Sequence, residues 1–214
     1  MSNKHSLLYK FSSSILLSLY LLLTRNKIEG EHFLPKSGPV ILVSNHISFI
    51  DPFALGYLAR RRKRQIHFLA KSELFKNKIL RKYFLACGQI PVNRQSENAK
   101  DALIYARQSL ENGHVVGIFP EGTMPLDLVQ LPIKTGAIRL AQDTGAPIVV
   151  VGAFGAHDIW RKGHKPKLKF RAKHYMVLLP EYFVSKDASI ETEKVVLAEK
   201  MLDATAKAKS KLRL

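Results

Sequence analysis

From about residue 38 onward, short apolar runs alternate with segments whose apolar residues recur every three or four positions. Pro39–Ser44, Gln65–Ala70, Gly88–Val92, Val115–Phe119 and Ile148–Phe154 are runs of strand length, and the first and last are apolar enough to be buried on both faces. Between them, Asp51–Arg62 predicts a helix with Asp51 as N-cap and Pro52 in its first turn. Ser72–Phe84 predicts a helix capped by Ser72. Ser96 caps another that runs to Asn112, with Ala99, Leu103, Ala106 and Leu110 on one face. Thr135–Thr144 is closed by Gly145, and a last helix starts near Ile190 with acidic residues in its first turn and basic ones at its end. Lys167–Lys173 alternates charged and apolar residues, as an edge strand does. Strands alternating with helices indicate an α/β fold: a mixed, largely buried sheet flanked by helices. No internal repeat or Pro/Gly-rich linker divides it.

The N-terminal stretch breaks this pattern. Phe11–Leu23 carries no charge and is flanked by Lys4, Lys10, Arg25 and Lys27. Thirteen residues fall short of the roughly 20 that a spanning helix requires. A signal-peptide core would need a small-x-small cleavage site, which the Thr24–Lys27 stretch does not offer. The expectation is an uncleaved, membrane-associated helix lying in one leaflet, with basic flanks at the headgroups; a buried core helix is the alternative. Residues 1–27 are accordingly read as an anchoring segment and 28–214 as the folded domain. The anchor, residues 6–23, places the chain on the cytoplasmic face of a membrane, peripheral or monotopic.

The 214 residues are 46% hydrophobic, enough for one sizeable core, and the single Cys87 excludes an intramolecular disulfide framework. Lys and Arg number 34 against 17 acidic residues, a net charge of +17. Such an excess suits an anionic bilayer, an acidic carrier or substrate, or nucleic acid. No recognised nucleic-acid module appears, and the aromatic residues do not interleave with the basic runs, so nucleic acid is not an expected partner. No metal-ligand spacing stands out either.

Chemistry concentrates at strand ends. Asn45-His46-Ile47-Ser48-Phe49-Ile50-Asp51 follows a buried strand directly. Across a strand-to-helix turn, that five-residue offset can bring the Asp51 carboxylate to one nitrogen of His46, leaving the other basic. Three further blocks sit at strand ends or starts: Gly88-Gln-Ile-Pro-Val-Asn-Arg94, Phe119-Pro-Glu-Gly-Thr123 and Ala146-Pro-Ile-Val-Val-Val151. In order and spacing, the four blocks resemble the glycerolipid acyltransferase family, which includes 1-acylglycerol-3-phosphate acyltransferases. The resemblance covers about residues 30 to 180.

The resemblance implies a glycerol-3-phosphate acyltransferase-like fold and an enzyme that moves a fatty acyl group from acyl-CoA or acyl-carrier protein to a lysolipid hydroxyl, with no further cofactor. The acceptor it implies first is 1-acyl-glycerol-3-phosphate, giving phosphatidic acid. Position by position, His46 looks like the general base and Asp51 its orienting partner. Arg94 looks like a contact to the acceptor phosphate, and Lys71, in Ala70-Lys71-Ser-Glu-Leu74, like a second. Glu121, Gly122 and Thr123 match the block lining the acceptor site, and Pro147 the block on the acyl-donor side. Two residues depart from the pattern. Met124 stands where Arg or Ser usually follows Phe-Pro-Glu-Gly-Thr, and Val150 where a second proline is common. Losing an Arg removes a bidentate phosphate donor, so another lysophospholipid or hydroxylated lipid is an alternative acceptor.

Outside these blocks, Arg60-Arg-Arg-Lys-Arg64 is the densest basic run, and Lys76, Lys78, Arg81 and Lys82 follow in the next predicted helix; the patch suits anionic lipid at about 1 kcal/mol per residue, or an acidic acyl-carrier protein or the phosphates of coenzyme A. Cys87, beside a strand and with no His partner in sequence, reads as a buried, inert thiol rather than a nucleophile.

Overall fold

Every residue of β2 (Val40–Ser44) and β5 (Val115–Ile118) is buried, because both lie in the middle of a sheet covered on both faces. The structure is a computed structural model that describes residues 14–92, 99–167 and 169–212. Its seven-stranded sheet also contains β1 (Thr24–Glu29), β3 (Ile66–Lys71), β4 (Ile90–Val92), β6 (Ile148–Phe154) and β7 (Ala172–Leu178), in the order β1-β7-β6-β2-β5-β3-β4. All neighbours are parallel except β6 and β7, so the sheet is mixed, as expected.

Alternation along the strands builds two cores. Ile41, Val43, Val116, Ile118, Ile148 and Val150 face α4 (Ala99–Glu111), α5 (Gly136–Thr144) and α6 (Ile190–Leu212). Val40, Leu42, Val115, Val149 and Val151 face the opposite way, toward α1, which includes residues 14–23, and α2 (Asp51–Arg61). Tyr20 of α1 belongs to this second core. At Gly152 of β6, a Cβ would lie 2.0 Å from the Ala204 backbone carbon of α6, so helix and strand pack at a distance only glycine allows.

Four local expectations need correction. Asp51 is the first residue of α2 rather than its N-cap; Ile50 takes the cap position because the Asp51 carboxylate is turned back onto the preceding loop. Ser72–Phe75 is a 3-10 turn, and the helix that follows, α3 (Lys78–Ala86), is capped by Asn77, whose Oδ1 accepts from the N–H groups of Ile79 and Leu80 at 3.0 and 3.1 Å. The strand expected over 167–173 begins only at Ala172. It is not an edge, because β1 covers it. β1 itself has no counterpart in the sequence reading: with Ile28 its lone aliphatic residue, Thr24–Glu29 lacks an apolar period. It straddles the boundary expected at residue 27. Ser96 lies outside the described residues.

Among the described residues, no helix is long and apolar enough to cross a membrane.

Candidate active site

Because β2, β5 and β3 are parallel neighbours, their C-terminal ends share one rim of the sheet, the place where α/β folds expose loops. His46 follows β2, Glu121 follows β5, and Lys71 ends β3. Asn45 pins the first of these loops: its side-chain amide donates to the Ala153 carbonyl at 2.9 Å and accepts from the Ala153 N–H at 2.8 Å.

His46 Nδ1 lies 3.1 Å from Asp51 Oδ2. The same oxygen accepts from the N–H groups of Ile47 and Ser48, both at 2.8 Å, so a carboxylate that is 1% exposed is held by three donors. A carboxylate at Nδ1 keeps the ring proton there and leaves the lone pair on Nε2. The ring stacks on Phe119, with centroids 4.2 Å apart and planes 21° apart, which limits its rotation. Ser48 braces the loop, its hydroxyl lying 2.8 Å from the Trp160 carbonyl and 3.0 Å from that of Ala156.

Glu121 sits behind this pair. One oxygen accepts from the His46 N–H at 3.0 Å and the other from the Leu131 N–H at 3.3 Å. Burial raises its pKa, and the two backbone bonds partly offset that rise. Glu121 thus ties the β5 loop to the turn that carries His46, through the backbone N–H groups it accepts from. Gly122, at φ 71°, allows the chain to turn there so that its N–H reaches the Phe119 carbonyl at 3.0 Å.

His46 borders a cavity of about 610 Å³ with mostly apolar walls. Leu16 and Leu17 come from α1, Phe53 from α2, Phe68 and Lys71 from β3, Tyr83 and Phe84 from α3, and Thr123 and Met124 from the β5 loop. Cys87, buried at the end of α3, also borders it.

Of the residues singled out in sequence, the structure brings His46, Asp51, Glu121, Gly122, Thr123 and Lys71 to one rim. It does not bring Pro147 there. Pro147 precedes β6, and its carbonyl accepts from Ile41 at the start of β2, five residues or about 16 Å of extended chain from His46. Arg94 lies outside the described residues. Asn45, Ser48 and Phe119 acquire roles through contacts that are remote in sequence. Lys162, from the loop after β6, joins the cavity wall with its ammonium on Thr123 Oγ1 at 3.1 Å and the Met124 carbonyl at 3.0 Å.

A family model described as Acyltransferase matches residues 25–153, more than half of the chain, including the His46, Asp51 and Glu121 blocks. The chain belongs to the Acyltransferase family. The similarity extends to individual members. A 1-acyl-sn-glycerol-3-phosphate acyltransferase of Bacillus subtilis is 29% identical over 159 residues, covering 73% of this chain and 77% of that protein. The chloroplastic BAT2 enzyme of Brassica napus, of the same description, is 29% identical over 179 residues; the chain spans about half, 51%, of its length. The crystal structure of the 1-acyl-sn-glycerophosphate acyltransferase PlsC from Thermotoga maritima superposes with a TM-score of 0.76 at 24% identity, covering 98% of this chain and 84% of that one. That match extends the common fold to nearly the whole length of this acyltransferase.

Proposed function

We propose that this acyltransferase moves a fatty acyl group from acyl-CoA or acyl-carrier protein to the free hydroxyl of 1-acyl-glycerol-3-phosphate, with His46 as general base. The observation that carries the reading is the His46 Nδ1–Asp51 Oδ2 contact of 3.1 Å on the wall of an apolar cavity of about 610 Å³. His46 Nε2 takes the acceptor hydroxyl's proton as its oxygen attacks the thioester carbonyl. The tetrahedral intermediate collapses, the C–S bond breaks, and the departing thiolate takes the proton from the imidazolium. Asp51 keeps the tautomer and stabilises that imidazolium, as its three donors hold it in place. The names of the Bacillus subtilis and Brassica napus relatives support the acceptor. Lys71 supplies an exposed cation on the cavity wall, and Arg94 remains the second phosphate contact in this reading.

The membrane is the proposed source of the lysolipid and the destination of the acylated product. Exposed Ile15, Leu19 and Leu22 of α1, and Ile79, Leu80 and Leu85 of α3, flank the helices whose other residues wall the cavity. A second reading, an acceptor with a different headgroup, rests on Met124, which is buried on that wall where an Arg would place a guanidinium.

The test is thiol release from an acyl thioester with a panel of lysolipids. His46→Ala should lower turnover by at least about a hundredfold while circular dichroism and vesicle binding stay as in wild type. Unchanged turnover in that variant refutes the base. Preference for a lysolipid without a terminal phosphate would keep the mechanism and replace the acceptor.

A further inference from the structure

Four cationic side chains border the cavity: Arg60, Arg64, Lys71 and Lys162. Their surroundings differ. The Arg64 guanidinium is spent on the carbonyls of Pro35, Gly38 and Gly113. Arg60 bonds the Ser14 hydroxyl at the exposed end of α2. Lys71 is exposed at the end of β3. Lys162 alone is both half-buried and anchored to the loop that carries Glu121, by the contacts to Thr123 Oγ1 and the Met124 carbonyl.

An ammonium has three donors, and Lys162 directs two of them to neutral oxygens. Neither neutralises its charge, and among the described residues no carboxylate forms an ion pair with it. A positioned, half-buried cation with one donor left over, bordering an apolar cavity, is suited to hold an anion that enters it. Because Glu121 holds the His46 N–H at 3.0 Å, the loop that positions Lys162 is the one that positions the base. We infer that Lys162 binds the phosphate monoester of the acceptor and so sets its headgroup specificity, with Met124 contributing its backbone carbonyl rather than its side chain. This inference rests on the acyl-transfer reading above. It reconciles a methionine at position 124 with a phosphorylated acceptor, since the cation arrives from residue 162, on a different loop.

Phosphate is present on both proposed substrates, the lysolipid and the donor carrier, and kinetics on the full chain separate them. Lys162→Met should raise the KM for 1-acyl-glycerol-3-phosphate by about tenfold or more, the loss expected for one hydrogen bond to a charged group, and move the KM for the acyl thioester by less than about twofold. Lys162→Arg, which keeps a cation, should recover most of the loss. Inorganic phosphate and glycerol-3-phosphate, used as competing anions, should inhibit wild type more strongly than Lys162→Met. A melting temperature within a few degrees of wild type shows that the variant is folded. An unchanged acceptor KM, or a rise confined to the thioester KM, overturns the assignment while leaving acyl transfer intact. Wild-type enzyme that transfers no acyl group to a phosphorylated acceptor overturns the assignment and the acceptor together.

Discussion

The Asp51 carboxyl group is 1% exposed, and three donors, one of them the His46 ring, hold one of its oxygens. The pair is local in sequence, five residues across one turn, which is why it is legible there. The Glu121 contact to the His46 N–H joins residues 75 apart, and no spacing rule reaches that far. A second buried polar residue has a consequence for stability. His174 of β7 contacts the Tyr20 hydroxyl through Nδ1 at 2.8 Å, and its Nε2 has no hydrogen-bond partner among the described residues. Burial, with a smaller push from His157 and an opposing pull from Asp51, lowers its pKa to about 4. An unfolded chain titrates its histidines near 6.5, so between about 6.5 and 4 the unfolded state binds the extra proton. Stability is therefore complete above pH 6.5 and falls toward pH 4, by on the order of 3 kcal/mol from this one group. Urea midpoints measured from pH 7 to 4.5 should fall more steeply in wild type than in His174→Gln; parallel curves would assign the slope to other groups.

At the scale of elements, the buried strands and amphipathic helices announce themselves by period, whereas β1 does not. A polar edge strand is specified by its partner: Thr24–Glu29 is ordered by pairing with Ala172–Val177. The misread start of α3 has a similar origin, since Ser72 and Asn77 are both competent caps and only packing decides which one opens the helix. The Arg60–Arg64 run is also less free than its composition suggests: Arg61 pairs with Glu31, Arg62 donates to the Leu34 carbonyl, and Arg64 is engaged by three carbonyls. The α6–β6 contact is close enough for a single substitution to probe it. In Gly152→Ala the new methyl carbon would fall 2.0 Å from the Ala204 carbon and 2.3 Å from the Thr205 nitrogen, both backbone, so neither can move aside alone. Thermal melts should show a loss of about 3 kcal/mol or more, the upper end for overpacking. A loss below about 1 kcal/mol would mean that α6 shifts freely on the sheet.

For the whole molecule, a net charge of +17 and two helices with exposed apolar residues act together in the proposed membrane association. Lys76, Lys78, Arg81 and Lys82, all exposed, accompany Ile79, which is 80% exposed. Each basic residue near an anionic surface contributes about 1 kcal/mol, and salt screens it over a Debye length of about 8 Å. Sedimentation with phosphatidylglycerol-containing vesicles should be strong at low salt and weaken as salt rises, with pure phosphatidylcholine vesicles retaining less protein. Equal, salt-independent retention on both would assign the association to apolar insertion alone. The alternating strands and helices, the two-sided burial of β2 and β6, and the pairing of His46 with Asp51 follow from the sequence itself, because each depends on periodicity or spacing within a few residues. The order of the strands, the placement of β1 beside β7, the remoteness of Pro147 from His46 and the arrival of Lys162 beside Met124 were decided only in three dimensions. Each joins chain segments tens of residues apart, and which segments meet is set by the packing of the whole sheet.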